Sequence, residues 1–195
     1  MISMHQGRTK LNLGGIWKYK LDENGVGGQE GYYRRDNDFS LWKEMKIPTN
    51  WFLTEVGDYF GDIWFQTSFS VPGEYRNQRL FLRFGAVDYY ADVWLNGNYL
   101  GFHEGMFNPF EFDVTDIVDP NQPNMLVVKD GAPRPNTEYV QADFSENPLS
   151  DEYKRHQAVA IDLIKGHMID CMHKPGAMTK HRGDGNTGGI WDDVE

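Results

Sequence analysis

Apolar and polar residues alternate with a period of two along much of this chain. Leu80, Leu82 and Phe84 alternate with Phe81 and Arg83, and Ala91, Val93 and Leu95 alternate with Asp92 and Trp94. A period of two puts successive side chains on opposite faces, so each segment predicts a β-strand with one dry face. Asn96-Gly97 follows the second segment, and Tyr99-Leu100 comes just after it. Asn-Gly between two strand-like runs predicts a two-residue hairpin, because both central residues of a type I′ turn need positive φ. Phe110, Phe112 and Val114 form another alternating set, and Met125 to Lys129 is a further β-rich run. Trp64 to Val71 ends at the turn Pro72-Gly73, and Gly14 to Leu21 is an early strand that stops at Asp22-Glu23-Asn24-Gly25. Several short strands with turn signals at this spacing predict an all-β sandwich. Helical periodicity is scarce before residue 150, where Phe39 to Met45 is a short helical candidate.

The pattern changes after Lys129. Asp130 to Leu149 is rich in Pro, Asn and acidic residues and has little periodicity. Ser150-Asp151-Glu152 can cap and open a helix running to about Ile164, with Val159 and Leu163 on one face. Lys174-Pro175-Gly176 breaks the segment, and Thr179 to Gly189 is a polar, Gly-rich loop. A connection of roughly 50 residues is far longer than ordinary loops, and such connections in compact domains are usually functional or disordered. The expectation is one sandwich domain over residues 1–195 carrying a partly helical insertion at about 130–183.

Composition narrows the function. The 195 residues include six Trp, ten Tyr and twelve Phe, enough apolar surface for a real core and against disorder. No run approaches the 18 or so apolar residues of a membrane span. A net charge of −10 repels nucleic acid and anionic membranes, so a neutral partner fits better. The single Cys171 excludes an internal disulfide framework. Met1 to Lys10 has no apolar h-region, so no secretory signal is visible and the compartment stays open.

Six segments carry a resemblance. Leu11-Asn12-Leu13-Gly14-Gly15-Ile16-Trp17, Ile47-Pro48-Thr49-Asn50-Trp51 and Trp64-Phe65-Gln66-Thr67-Ser68-Phe69 occur in that order. The run Leu82 to Gly105 contains Ala86-Val87-Asp88-Tyr89 and Val93-Trp94-Leu95-Asn96-Gly97, and Phe107 to Asp116 extends it. Gly188-Gly189-Ile190-Trp191 precedes Asp192-Asp193-Val194. In this order and spacing the segments resemble the N-terminal domain of family 2 glycoside hydrolases, which include β-galactosidases, β-glucuronidases and β-mannosidases. The resemblance implies a jelly-roll β-sandwich of the galactose-binding type, followed in the family by an immunoglobulin-like sandwich and a (β/α)₈ barrel. It implies retaining hydrolysis of β-linked sugars by two carboxylates about 5 Å apart, both glutamates on the barrel. Neither that barrel nor an Asn-Glu dipeptide occurs here, so this chain alone is expected to be non-catalytic and to need no cofactor. Its expected partners are its own downstream domains and, in the full-length enzyme, a carbohydrate substrate.

Candidate site residues follow from chemistry and from the resemblance together. His181, Arg182, Asp184 and Asn186 offer hydrogen-bonding side chains on a Gly-supported loop, and sugar hydroxyls need such donors and acceptors. In the resembling family the segment just before Gly-Ile-Trp reaches the barrel mouth and can place a substrate-contacting Asp there, close to the position of Asp184. Trp94 points away from Val93 and Leu95, so it either packs against neighbouring structure or forms a platform for the apolar face of a sugar ring. His167, Cys171, His173 and His181 match no closed zinc spacing, and no metal is expected from them. The acids Asp88, Asp92, Glu104, Glu111 and Asp113 lack EF-hand spacing and read as a solvated face before a Ca²⁺ site. Asp192 stands where the family usually has Arg, which leaves the sugar type open. The alternative to an enzyme's N-terminal domain is a free-standing carbohydrate-binding module.

Overall fold

The computed structural model describes residues 9–57, 59–132 and 188–195. The helix expected from Ser150 and the Cys/His group fall outside these residues. Ten strands are present among the described residues: β1 (Gly15–Asp22), β2 (Lys43–Ile47), β3 (Gly61–Phe69), β4 (Phe81–Phe84), β5 (Val87–Asp88), β6 (Tyr90–Leu95), β7 (Asn98–Glu104), β8 (Phe110–Asp113), β9 (Asn124–Ala132) and β10 (Gly189–Ile190). The one α-helix among the described residues, α1 (Gly27–Glu30), is a single turn. The described chain is therefore an all-β sandwich.

One layer is a six-stranded antiparallel sheet in the order β2-β1-β3-β9-β6-β7. The opposing layer is assembled from β4 paired with β8, β10 paired with β5, and the chain segment ending at Glu195. Arg83 and Glu195 exchange both backbone hydrogen bonds, Gly85 N donates to Asp193 O, and Leu13 N donates to Val194 O at 2.8 Å. The core lies between the layers. Trp17, Tyr19, Ile63, Phe65, Ala91, Val93, Leu95, Leu126 and Val128 from the large sheet meet Leu82, Phe84, Val87, Val114, Ile190 and Val194 from the other side. The alternation read from the sequence thus marks the dry face of each strand, and Asn96 and Gly97 both take positive φ, 55° and 81°, in the β6–β7 hairpin.

Phe39 to Met45 does not form the helix that its spacing suggested. Lys43–Ile47 is an edge strand instead, paired with β1 from Gly15↔Ile47 to Tyr19↔Lys43. The apparent helical spacing arises because its apolar residues serve two different clusters. Met45 and Ile47 enter the main core, whereas Trp42 and Phe39 pack on the outer face of the sheet with Tyr32, Trp64 and Val127.

The segment between β1 and β2 crosses that outer face. Tyr32 meets Trp42 and Trp64 edge-on, with centroids 5.5 and 5.7 Å apart. Asp22 anchors the segment: its carboxylate accepts from Val26 N at 2.8 Å, Gly27 N at 2.9 Å and Trp64 Nε1 at 2.9 Å. Burying Trp64 and Tyr32 supplies the driving force, and the carboxylate satisfies donors that would otherwise be stranded.

At the opposite sheet, Asp113 closes the end of β8. Its carboxyl accepts from Thr115 Oγ1 at 2.6 Å and Thr115 N at 3.1 Å and is paired with Arg79. The Thr115 side chain first, then Arg79 and the Thr115 backbone, hold its pKa down at about 2. A carboxylate with a depressed folded-state pKa stabilises above the ordinary Asp range near 4, and that contribution disappears as pH falls through the folded value. The stability difference between wild type and Asp113→Asn is therefore expected to be full at pH 5 and to close between about pH 4 and 2, which urea midpoints measured across that range would show.

Candidate functional site

Two places concentrate chemistry among the described residues. The first surrounds Trp94. Pairing across β3, β9 and β6 sets Trp64, Lys129 and Asp92 abreast on the outer sheet face, with Asp62 at the start of β3 nearby. Lys129 Nζ lies 3.2 Å from Asp62 Oδ2 and 3.8 Å from Asp92 Oδ2. Tyr99 donates its hydroxyl to Asp92 Oδ1 at 2.6 Å. Trp94 stacks between Tyr33 and Trp64, with centroids 5.4 and 5.2 Å away, and Tyr99 is tilted against it at 5.3 Å. Beside these rings is an open cavity of about 430 Å³, walled also by Asp22, Gly25 and Gly28.

The electrostatics of the cavity are mixed. Burial raises the pKa of Asp62 although Lys129 pulls it down, and Asp22 and Asp92 raise it further. Burial, then the bond to Asp92, pushes the Tyr99 hydroxyl up to about 12, so it remains a donor throughout the neutral range. Of the residues that shape this cavity, the sequence offers Trp94 and Trp64 as aromatic candidates and Asp92 among the acids. Asp62, Lys129, Tyr33 and Tyr99 are scattered over 97 positions, and strand pairing alone brings them together. The one local hint is a charged Lys129 closing an otherwise apolar run.

The second place is the root of the long connection. Gly189 and Ile190 pair with Asp88 and Val87. Thr49 N donates to Ile190 O at 2.8 Å and Trp51 N to Gly188 O at 2.9 Å. Tyr89 N donates to Gly131 O at 3.2 Å, so β5 ties the end of β9 and the start of β10 to one corner. Trp191 Nε1 donates to Met106 O at 2.9 Å, and Phe107 sits edge-on to the Trp191 ring at 5.8 Å. Buried Tyr89 stacks edge-on against Tyr90, and burial, then neighbouring Glu104, raises its pKa. His181, Arg182, Asp184 and Asn186 fall outside the described residues. From Gly188 onward the chain is part of the sandwich.

The acids proposed as a face are dispersed rather than clustered. Asp88 is buried on β5, Asp92 faces the cavity, Glu104 adjoins the tyrosine pair, and Glu111 and Asp113 lie on β8 of the other layer. Among the described residues, no group of three or more His, Cys, Asp or Glu side chains converges as a metal site. Asp192 lies over Gly85, where an added Cβ would fall 2.6 Å from its carboxyl carbon.

Residues 49–161, more than half of the chain, match the glycosyl hydrolase 2 galactose-binding domain-like family. The chain belongs to this family. Among curated proteins, this galactose-binding-like domain is 30% identical over 125 residues to a β-glucuronidase of Paenibacillus borealis, covering 62% of the chain and 21% of the relative. A β-glucuronidase of Streptococcus agalactiae is 34% identical over 109 residues (53% and 16%). A β-galactosidase of Thermoanaerobacter pseudethanolicus is 28% identical over 131 residues (63% and 17%). Among solved structures, the crystal structure of Ruminococcus gnavus β-glucuronidase superposes with a TM-score of 0.57 at 32% identity, over 63% of this chain and 21% of that one. The matches lie in the N-terminal part of these proteins, and the chain spans about a fifth of their length. The galactose-binding-like domain is thus the non-catalytic N-terminal type of family 2 domain.

Proposed function

We propose that this galactose-binding-like domain serves a longer retaining exo-glycosidase acting on β-linked sugars, of the β-glucuronidase or β-galactosidase kind, by docking on its catalytic barrel. The observation carrying this reading is the match to only the N-terminal fifth of such enzymes. The long connection, with Asp184, Arg182, His181 and Asn186, is the part assigned to the rim of the substrate pocket. Support comes from its root: both ends are knitted into one corner by β5 and by Trp51, so the corner is braced from two layers. A rigid root limits the freedom that a loop loses when it meets substrate.

The test compares the 195-residue chain with a longer gene product carrying it, using p-nitrophenyl β-D-glucuronide and β-D-galactoside. The chain alone is expected to release no p-nitrophenol above the buffer blank, and the longer product to hydrolyse at least one substrate. In the longer product, Asp184→Ala is expected to lower kcat/KM by about tenfold to a hundredfold, the worth of one charged hydrogen bond. Hydrolysis by the isolated chain would sink the non-catalytic assignment, and unchanged kcat/KM in the variant would sink the role of the loop.

A further inference from the structure

The cavity on the outer sheet face lies on the described strands alone. It is rooted in β3, β6, β7 and β9 and bounded on one side by the end of β1 and the segment after it. We propose that it is a binding site for a neutral pyranoside and that it rejects uronates. The choice of a sugar over other polyols rests on the carbohydrate role proposed above; the choice of a neutral one rests on the residues themselves.

Three features decide the ligand class. Lys129 already occupies the cation position between Asp62 and Asp92, so a ligand ammonium would have to displace it. Asp22 is spent on two backbone N–H groups and Trp64 Nε1. What remains is a short row of acceptors beside one ammonium donor, an arrangement that suits vicinal hydroxyls, since each hydroxyl both donates and accepts. Tyr99, 54% exposed, offers an open ring to the apolar C–H face of a pyranose. Its hydroxyl is held in place by Asp92, so the ring is fixed before a ligand arrives. A uronate would bring a fourth carboxylate next to Asp22, Asp62 and Asp92, with a single ammonium to offset them. At a few ångströms that repulsion is enough for about a tenfold loss of affinity in a partly solvated site. The site would therefore recognise a sugar unit other than the one a glucuronidase cleaves.

The experiment is a calorimetric titration of the 195-residue chain with methyl β-D-glucopyranoside, methyl β-D-galactopyranoside and D-glucuronate, with tryptophan emission followed in parallel. A neutral glycoside is expected to bind in the millimolar range and shift the emission of the Trp64–Trp94 stack. Glucuronate should bind at least about tenfold more weakly, and about 0.5 M NaCl should narrow that gap by screening. Tyr99→Ala should weaken neutral-glycoside binding at least about tenfold while leaving the melting temperature close to wild type, because the ring is half exposed. Lys129→Gln, scored on folded protein only, should weaken it as well. Three results would overturn the site: no saturable binding of either neutral glycoside, equal binding of glucuronate, or binding that survives Tyr99→Ala. If binding survives there but is lost in Asp184→Ala, the sugar sits on the loop, and the proposed function stands without this cavity. Failure of the proposed function is read separately, from hydrolysis by the two chain lengths.

Discussion

Trp51→Ala is expected to cost about 3–5 kcal/mol of folding stability, the range for emptying a large aromatic side chain from a close-packed core. Trp51 is completely buried, follows the Asn50 cap of a short 3₁₀ turn, and donates its backbone N–H to Gly188 O. Its ring fills the space that a side chain at position 188 would need: a Cβ on Gly188 would overlap Cζ2, Cε2 and Cη2 of the indole. Gly188→Ala is therefore expected to destabilise by about 1–3 kcal/mol through overpacking. The two costs are coupled. In the Trp51→Ala background Gly188→Ala has room, so its own cost should fall close to zero, leaving a coupling energy of about 1–3 kcal/mol. Urea unfolding of the four proteins of this double-mutant cycle measures it. Additive effects would show that the indole and Gly188 do not exclude one another. Because Gly188 follows directly on the long connection, the same pair anchors the C-terminal end of that connection.

Asp22→Ala is expected to be nearly as damaging, for a polar reason. Its carboxylate accepts three hydrogen bonds, from Val26 N, Gly27 N and Trp64 Nε1, at the buried seam between β1 and the segment that crosses the outer face. Removing the acceptor strands these donors, at about 1–3 kcal/mol for each one that stays dry. Water reaching the more exposed donor reduces the sum, so the expected loss is about 3 kcal/mol, or a melting temperature lower by about 6–12 °C in a chain of this size. Asp22→Asn keeps one acceptor oxygen and should lose distinctly less. The readout that separates this from general core damage is hydrogen exchange. Protection should drop first at residues 26–32 and at the Trp64 indole N–H, while the β4–β8 pair keeps its protection. Uniform loss across both layers would contradict an anchor confined to the outer face.

These two residues bear on function because they hold the two candidate places. Trp51 and Gly188 lock the corner at the C-terminal end of the long connection. Asp22 holds the wall of the outer cavity, where Gly25 and Gly28 face open space. A variant at either residue should be compared with wild type at equal folded fraction before any sugar or activity measurement is interpreted.

Much of the sandwich could be read along the chain because its signals are local. The alternation in Leu80 to Phe84 and Ala91 to Leu95 marks the dry face of β4 and β6. Asn96-Gly97 specifies its hairpin through backbone sterics confined to two residues. The segments that resemble family 2 enzymes were visible as separate pieces, and the match over residues 49–161 shows the family. The errors fall where one stretch serves two clusters. Phe39, Trp42 and Met45 look helical in sequence, yet a strand results, because pairing with β1 sends Met45 inward while Trp42 stays on the other face. The two-residue strands β5 and β10 leave no signal in the sequence, since so short a segment has no period of its own.

The sequence by itself thus determined the strand-rich class, the hairpin, the negative charge that disfavours anionic partners, and the family. The first three are properties of neighbouring residues or of composition, and the family shows in the order and spacing of short segments. Only the tertiary structure decided that Ile47 to Trp51 and Gly188 to Trp191, more than 130 positions apart, are hydrogen-bonded neighbours. It also decided that Asp62, Asp92, Tyr99 and Lys129 share one cavity with Trp94. The cavity depends on the order in which the strands of the large sheet pair, and the corner on β10 meeting β5 and the turn after β2. Both are set by the joint burial of apolar faces. No single segment carries that information.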